Sequence, residues 1–193
     1  MTTIPEELSK DAPGQLALIQ DFVNTQYGSK RYAHVELTTP EQLRIWLVAH
    51  QLLADGIPVT EGDFRRVLRL REALRSFLRA NSGFEEPVVQ DEILNHLASN
   101  APLIVRFQHD ALPALEPDIT GLDGVIACLI GIVFTSMIDG SWARLKACRN
   151  DRCQKAFYDT SKNRSGSWCS MARCGSRFKA SAYRHRHKAQ AEE

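Results

Sequence analysis

Apolar residues over the first 140 positions recur mostly at helical spacing. Leu16, Ile19 and Val23 share one face of a helix predicted over 15–25. A polar connection follows over 27–37. Thr39-Pro40-Glu41-Gln42 then combines an N-cap, a proline at the first helical position and a capping-box glutamine. The helix it opens should bury Leu43, Trp46, Leu47 and Leu53 and stop at Asp55-Gly56. Thr60 caps a third helix that runs to about Ala80, with Val67, Leu70, Leu74, Phe77 and Leu78 inward and Asn81-Ser82-Gly83 as its stop. A fourth begins near Pro87 and uses Val89, Ile93, Leu94 and Leu97. Positions 103–108 and 114–119 read as a short hairpin, with Pro113 and Pro117 confining the second run to an edge. Positions 121–138 are apolar all round and predict a buried helix that ends at Asp139-Gly140.

Composition fits an ordinary globular chain of 193 residues, 44% hydrophobic and 24% charged, and argues against disorder or a fibrous fold. The longest uncharged apolar stretch, 124–138, has 15 residues, short of the ~20 that span a bilayer. The start, MTTIPEELSKDAPG, lacks the basic and apolar runs of a secretory signal. The expectation is a cytoplasmic protein with no membrane partner, where structural disulfides are not favoured. The total charge of +1 hides an asymmetry. Residues 1–140 carry 11 Lys+Arg against 19 Asp+Glu, and residues 141–193 carry 13 against 4. A basic end of this kind suggests nucleic-acid binding. The shift at Asp139-Gly140 divides the chain into a helical domain over 1–140, a second module over 141–189 and a tail over 190–193.

That second module has few large apolar residues, and about fifty residues with so small a core need a metal or a disulfide. Four of the five cysteines lie in it, as two pairs with equal spacing: Cys148 with Cys153, and Cys169 with Cys174. Four thiolates so arranged match a closed, tetrahedral structural Zn2+ site. Arg149, Arg152, Lys155, Arg173 and Arg177 flank the ligands and can offset the formal −2 of the site. The segment 154–168 is long enough for a hairpin that returns the chain to the metal, with Asn163-Arg164-Ser165-Gly166 as its turn. Tyr158 and Trp168 are placed in the small core around the metal rather than against bases. Cys128, inside the apolar helix, is read as a small hydrophobe.

Positions 176–188 predict a basic helix. Arg177, Arg184 and Lys188 fall within about 40° of one another at helical spacing, Phe178, Ala182 and His185 form another face, and Lys179 and Arg186 lie opposite the stripe. With Lys162 and Arg164 in the loop, these residues make a surface suited to phosphates and base edges.

In the N-terminal part, Asp21 and Asn24 are polar residues in an apolar neighbourhood. They are candidate contacts for a small-molecule effector, against the plainer role of a helix C-cap network. Arg65, Arg69, Arg75 and Arg79 lie on the arc away from the third helix's apolar stripe, with Arg66 and Arg71 at its edges; a solvated face is expected. No phosphate-binding glycine loop, nucleophile elbow or HExxH motif is present. Catalysis would have to rest on Asp21 with His34 or His50, and the protein is read as no enzyme.

The last fifty residues resemble the CGNR-type zinc finger of bacterial proteins. The matching features are the cysteine pairs, Phe157-Tyr158-Asp159, 161–165 (SKNRS), Trp168-Cys169-Ser170-Met171 and Cys174-Gly175-Ser176-Arg177. The part before it is similar to the ABATE domain, through 21–25 (DFVNT), the Leu43 to Leu53 helix and 70–75 (LREALR). The resemblance implies transcription regulators associated with stress responses. It makes the four cysteines zinc ligands and the helix after Gly175 the nucleic-acid contact. Ser176 stands where the family motif has Asn, and the loop has fewer arginines than is usual, which implies altered DNA affinity or specificity.

The sequence therefore predicts an α+β protein: a mainly helical domain with a short hairpin, then a four-cysteine finger of treble-clef type. The expected function is a DNA-binding transcription regulator, with a homodimer as one way to read palindromic sites. An RNA-binding protein and a zinc-dependent protein-interaction module are the alternatives.

Overall fold

The computed structural model of the protein describes residues 10–25, 36–84 and 89–178, less the side chains at 89, 90, 108 and 111. The elements run α1 (Leu16–Asn24), α2 (Pro40–Ala49), α3 (Glu61–Asn81), α4 (Val89–Ala98), β1 (Leu103–Gln108), β2 (Ala111–Pro117), α5 (Gly121–Ile138), β3 (Leu145–Ala147) and β4 (Ala156–Tyr158). A 3-10 turn, Trp142–Arg144, precedes β3, and a π-type turn, Met171–Gly175, carries the last cysteine. Helices and two antiparallel hairpins make an α+β fold.

Local chemistry starts most elements where the sequence signals them. Thr39 Oγ1 accepts the Gln42 N–H of α2 at 3.2 Å, while the Gln42 side chain turns back to Thr38 N–H at 2.8 Å. Thr60 and Asp63 form a reciprocal capping box on α3. The end of α3 is a Schellman turn: Phe84 N–H bonds Arg79 O, Gly83 N–H bonds Ala80 O, and Gly83 is left-handed at φ 80°. The same turn ends α2 at Ala49, well before Asp55-Gly56. There Leu52 N–H bonds Leu47 O, and the left-handed residue is Gln51 at φ 58°. Leu53, expected inside the helix, is buried just beyond it.

Around α5 pack α1, α3, α4 and β2. Its Val125, Ile126, Leu129 and Val133 join Ile19, Phe22, Leu43, Leu47, Leu70 and Leu74 in one core. Each such side chain contributes roughly 1.5–3 kcal/mol on burial. Among the described residues α5 is the one helix long and apolar enough to cross a membrane, and here half of it is buried in the protein. The β1–β2 hairpin lies on α5, with Leu103 against Gly131. Its second strand starts three residues earlier than the spacing suggested and contains both Pro113 and Pro117.

Two contacts go beyond what the spacing predicts. In the first, packing continues across Asp139-Gly140. Trp142, Leu145, Ala147 and Ala156 belong to the same core as the helices, and β3 rests on α3 and β4 on α1. The second concerns α3, whose outer arc is not simply solvated. Arg75 is 4% exposed and Arg71 5%. The C-terminal end of α1 covers them: Arg75 Nη2 donates to Val23 O and Arg71 Nη1 to Thr25 Oγ1, while both Nε atoms bond the Glu72 carboxylate between them. Helical spacing identifies the core stripe of α3 but carries no information about this second contact.

Candidate metal centre and basic surface

The first cysteine pair sits in the connection of a hairpin. β3 and β4 pair antiparallel, Leu145 with Tyr158 and Ala147 with Ala156. Cys148 directly follows β3, and Cys153 lies three residues before β4. The hairpin thus spans the first pair; it does not fill 154–168 as expected, because that segment supplies only the three residues of β4 before entering a loop. Asn150 shapes the turn: its carbonyl accepts the Cys153 N–H at 2.7 Å and its side chain accepts the Arg152 N–H at 3.1 Å. Left-handed Gln154 then turns the chain into β4. The second pair is set by Ser170. Its carbonyl accepts the Cys174 N–H at 2.9 Å and its hydroxyl accepts the Arg173 N–H at 3.2 Å.

These turns bring the sulfurs of Cys148, Cys153, Cys169 and Cys174 within 4.8 Å of one another. Cys153 Sγ lies 3.6 Å from Cys169 Sγ, which lies 3.8 Å from Cys174 Sγ. A tetrahedron of metal–sulfur bonds about 2.3 Å long has edges of about 3.8 Å, so the donor set and its spacing fit a four-coordinate soft or borderline metal. Cys148 and Cys174 are buried and the other two half-buried. Phe157, 1% exposed, and Trp168 pack against the cluster. Backbone N–H groups of Asn150 and Cys169 face the Cys148 sulfur, and that of Lys155 faces Cys153.

Side by side, the thiols of Cys148, Cys153 and Cys169 shift one another's ionisation in opposite directions. Hydrogen bonds from Cys148 and then Cys169 pull the Cys153 thiol down to about 2. In return Cys148 is pushed up to about 12, mainly through Cys153, and Cys169 is raised as well, first by Cys148. A bound dication is what would let all four lose their protons. Cys128 lies apart in α5, half-buried, its thiol raised by burial alone.

The loop after β4 is pinned by a buried ion pair that sequence reasoning missed. Lys146 Nζ meets Asp159 Oδ2 at 2.7 Å, with both side chains almost fully buried. Asp159 also accepts the N–H groups of Ser161 at 3.0 Å and Gly166 at 2.7 Å. Burial alone would raise its pKa; the Lys146 bond and these N–H groups more than offset that and hold it at about 2. Lys146 also donates to the Arg164 and Gly166 carbonyls. A Cβ on Gly166 would lie 2.5 Å from Asp159 Oδ1, which accounts for glycine in this loop. A lysine between Leu145 and Ala147 in a strand was the available signal.

That framework leaves Lys162 and Arg164 exposed, and Arg177 is exposed after the second pair. Arg164 is left-handed at φ 51°. The remaining predicted contacts, Lys179, Arg184, Arg186 and Lys188, and most of the basic helix, lie outside the described residues, as do His34 and the tail. Arg149, one of the cations expected to offset the charge of the site, reaches the end of α3 and stands 5.3 Å over the Phe84 ring. Trp168 meets Phe178 in a tilted ring contact, with centroids 4.9 Å apart and planes 39° apart. Tyr158 packs against the helical core rather than the metal cluster.

Asp21 and Asn24 are not brought to one pocket. Asp21 is exposed, whereas Asn24 is 2% exposed and its amide is committed to both backbone groups of Ala156. The plainer structural role holds for Asn24, in a contact with the finger rather than a local cap.

The family model of the CGNR zinc finger matches residues 144–187, which include all four cysteines and the loop. No curated protein matches the chain. The family model named ABATE, described as "Putative stress-induced transcription regulator", matches residues 16–127, more than half of the chain. A helical part of that kind, fused through one continuous core to a four-sulfur finger, is what the structure shows, and the chain belongs to the ABATE family.

Proposed function

We propose that the protein is a DNA-binding transcription regulator of the cytoplasm, not an enzyme, whose four cysteines hold one structural Zn2+. The observation that carries this is the convergence of four sulfurs within 4.8 Å in the segment that holds the chain's excess of basic residues. Zinc there supplies folding energy, on the order of 10 kcal/mol for structural sites. The buried Lys146–Asp159 pair fixes the loop backbone, so Lys162 and Arg164 are presented from a rigid frame. Arg177 starts the basic stripe that Arg184 and Lys188 continue in sequence. Their charges neutralise phosphates, and the arginine forks suit guanine edges.

The test is binding of the zinc-loaded protein to duplex DNA over a salt series, with random duplex and its own promoter as targets. Affinity should fall steeply with salt, by a log–log slope of about −0.9 for each phosphate neutralised. Neutralising Arg164, Arg177, Arg184 and Lys188 together should flatten that slope. No binding at low salt by a folded, metal-loaded protein would end the DNA reading, and tighter binding to structured RNA would replace it.

A further inference from the structure

Two peptide groups lead into and out of the turn that carries Cys148 and Cys153, and each is held by a helix of the N-terminal part. The first joins Ala147 to Cys148. Its carbonyl accepts a hydrogen bond from Ser82 Oγ, at the end of α3, at 2.7 Å. Its N–H donates to the Lys155 carbonyl at 2.9 Å. The second peptide joins Lys155 to Ala156. Its N–H donates to Asn24 Oδ1, at the end of α1, at 2.8 Å. Asn24 Nδ2 donates back to the Ala156 carbonyl at 3.1 Å, and Gln20 Nε2 reaches the same oxygen at 3.4 Å. One chain of hydrogen bonds therefore runs from α1 through both peptides to α3, and the Cys148 backbone is a link in it.

We propose that Asn24 and Ser82 are positioning residues of the metal centre. They do not touch the ion. They hold the two peptides that aim the Cys148 and Cys153 sulfurs, so metal affinity is set partly by α1 and α3. Groups that orient ligands from outside the coordination shell typically alter metal affinity by about 10–100-fold. The coupling is reciprocal, so a bound metal tightens the seam between finger and helices. Asn81 supplies the contrast. Its Nδ2 donates to the Trp142 and Leu145 carbonyls at 2.9 Å each, on the same seam, but it touches neither of the two peptides.

The proposal rests on zinc binding by the four cysteines. Its test is zinc affinity of the full-length protein, by competition with a chromophoric chelator, alongside thermal unfolding of the metal-free protein. Asn24→Ala and Ser82→Ala should each weaken zinc binding about 10-fold. Asn81→Ala should lower the metal-free melting temperature and leave zinc affinity unchanged. Native zinc affinity in both Asn24→Ala and Ser82→Ala would overturn the proposal, and so would equal weakening by Asn81→Ala. Should Asn24→Ala fail to fold, Ser82→Ala decides, since it removes one hydroxyl from a half-buried helix cap. A native protein that takes up no zinc overturns the zinc reading itself, and this proposal with it; that result is distinct from variants binding as tightly as the native chain.

Discussion

The helical part and the finger are stabilised by different means. In the first, five helices bury a continuous set of large apolar side chains, with capped starts on α2 and α3 and a network of buried Arg71 and Arg75 with Glu72 against α1. The finger has a second cluster of its own, in which Cys148, Phe157 and Cys174 are the buried members. Its first half, β3 and β4, rests on the helical core and is bonded to α1 and α3. Its second half, from Asp159 to the π-type turn, is tied back by the Lys146–Asp159 pair and by four sulfurs. The basic module is thus anchored on one side by borrowed burial, and on the other its four sulfurs are placed to hold a metal.

Metal removal should separate the two regions most sharply. Cys174→Ser should abolish stoichiometric zinc and remove several kcal/mol, out of the ~10 that structural zinc sites contribute. Zinc content and thermal unfolding measure both. Cys128→Ser, in α5, should change neither zinc content nor the metal-dependent part of stability.

Breaking the buried pair comes next. Asp159→Ala leaves the Lys146 charge without its partner and should cost about 3–5 kcal/mol. Replacing both residues by apolar ones should cost less than the single change, as chemical denaturation would show. The pair also has a pH signature. Asp159 is held at about 2, below the carboxylate value of 3.8. Its contribution is complete above about pH 4 and is lost as pH falls toward 2. Subtracting the acid-unfolding profile of Asp159→Asn from that of the native protein should isolate this loss in that window. A pH-independent difference would contradict the ion pair.

Smaller again is Gly166→Ala, whose Cβ would press on the Asp159 carboxylate. A cost of about 1–3 kcal/mol is expected, with helical circular dichroism unchanged. The smallest effect lies in the helical part. Gln51→Gly relieves a left-handed non-glycine residue and should stabilise the protein by up to ~1 kcal/mol. An unchanged or lower melting temperature would show that the Gln51 side chain contributes more than its backbone conformation costs.

Much of this organisation was legible from residue order, and the exceptions have physical reasons. The stop after α3 was readable because Gly83 occupies the left-handed position of its turn. The identical turn after α2 was not, because Gln51 occupies that position and glutamine carries no such signal. The four cysteines announced a metal site by spacing, since chelation needs matched short loops. The hairpin was misplaced because strands of three residues show no alternation, and their pairing across the Cys148–Cys153 turn is a tertiary fact. The sequence reads Arg75 as solvated and Asn24 as a candidate effector contact or a local helix cap. Each instead bonds backbone brought near by distant chain, Val23 O and Ala156 respectively.

Hydrogen exchange of the full-length protein, with zinc and after chelation, follows both anchors in one experiment. Chelation should strip protection from residues 159–178 and lower it modestly at the seam amides of Cys148 and Ala156, while α1 and α3 keep theirs, since those are held by the helical core. Loss of protection throughout the chain, or no change in 159–178, would contradict a finger held half by the helices and half by its metal.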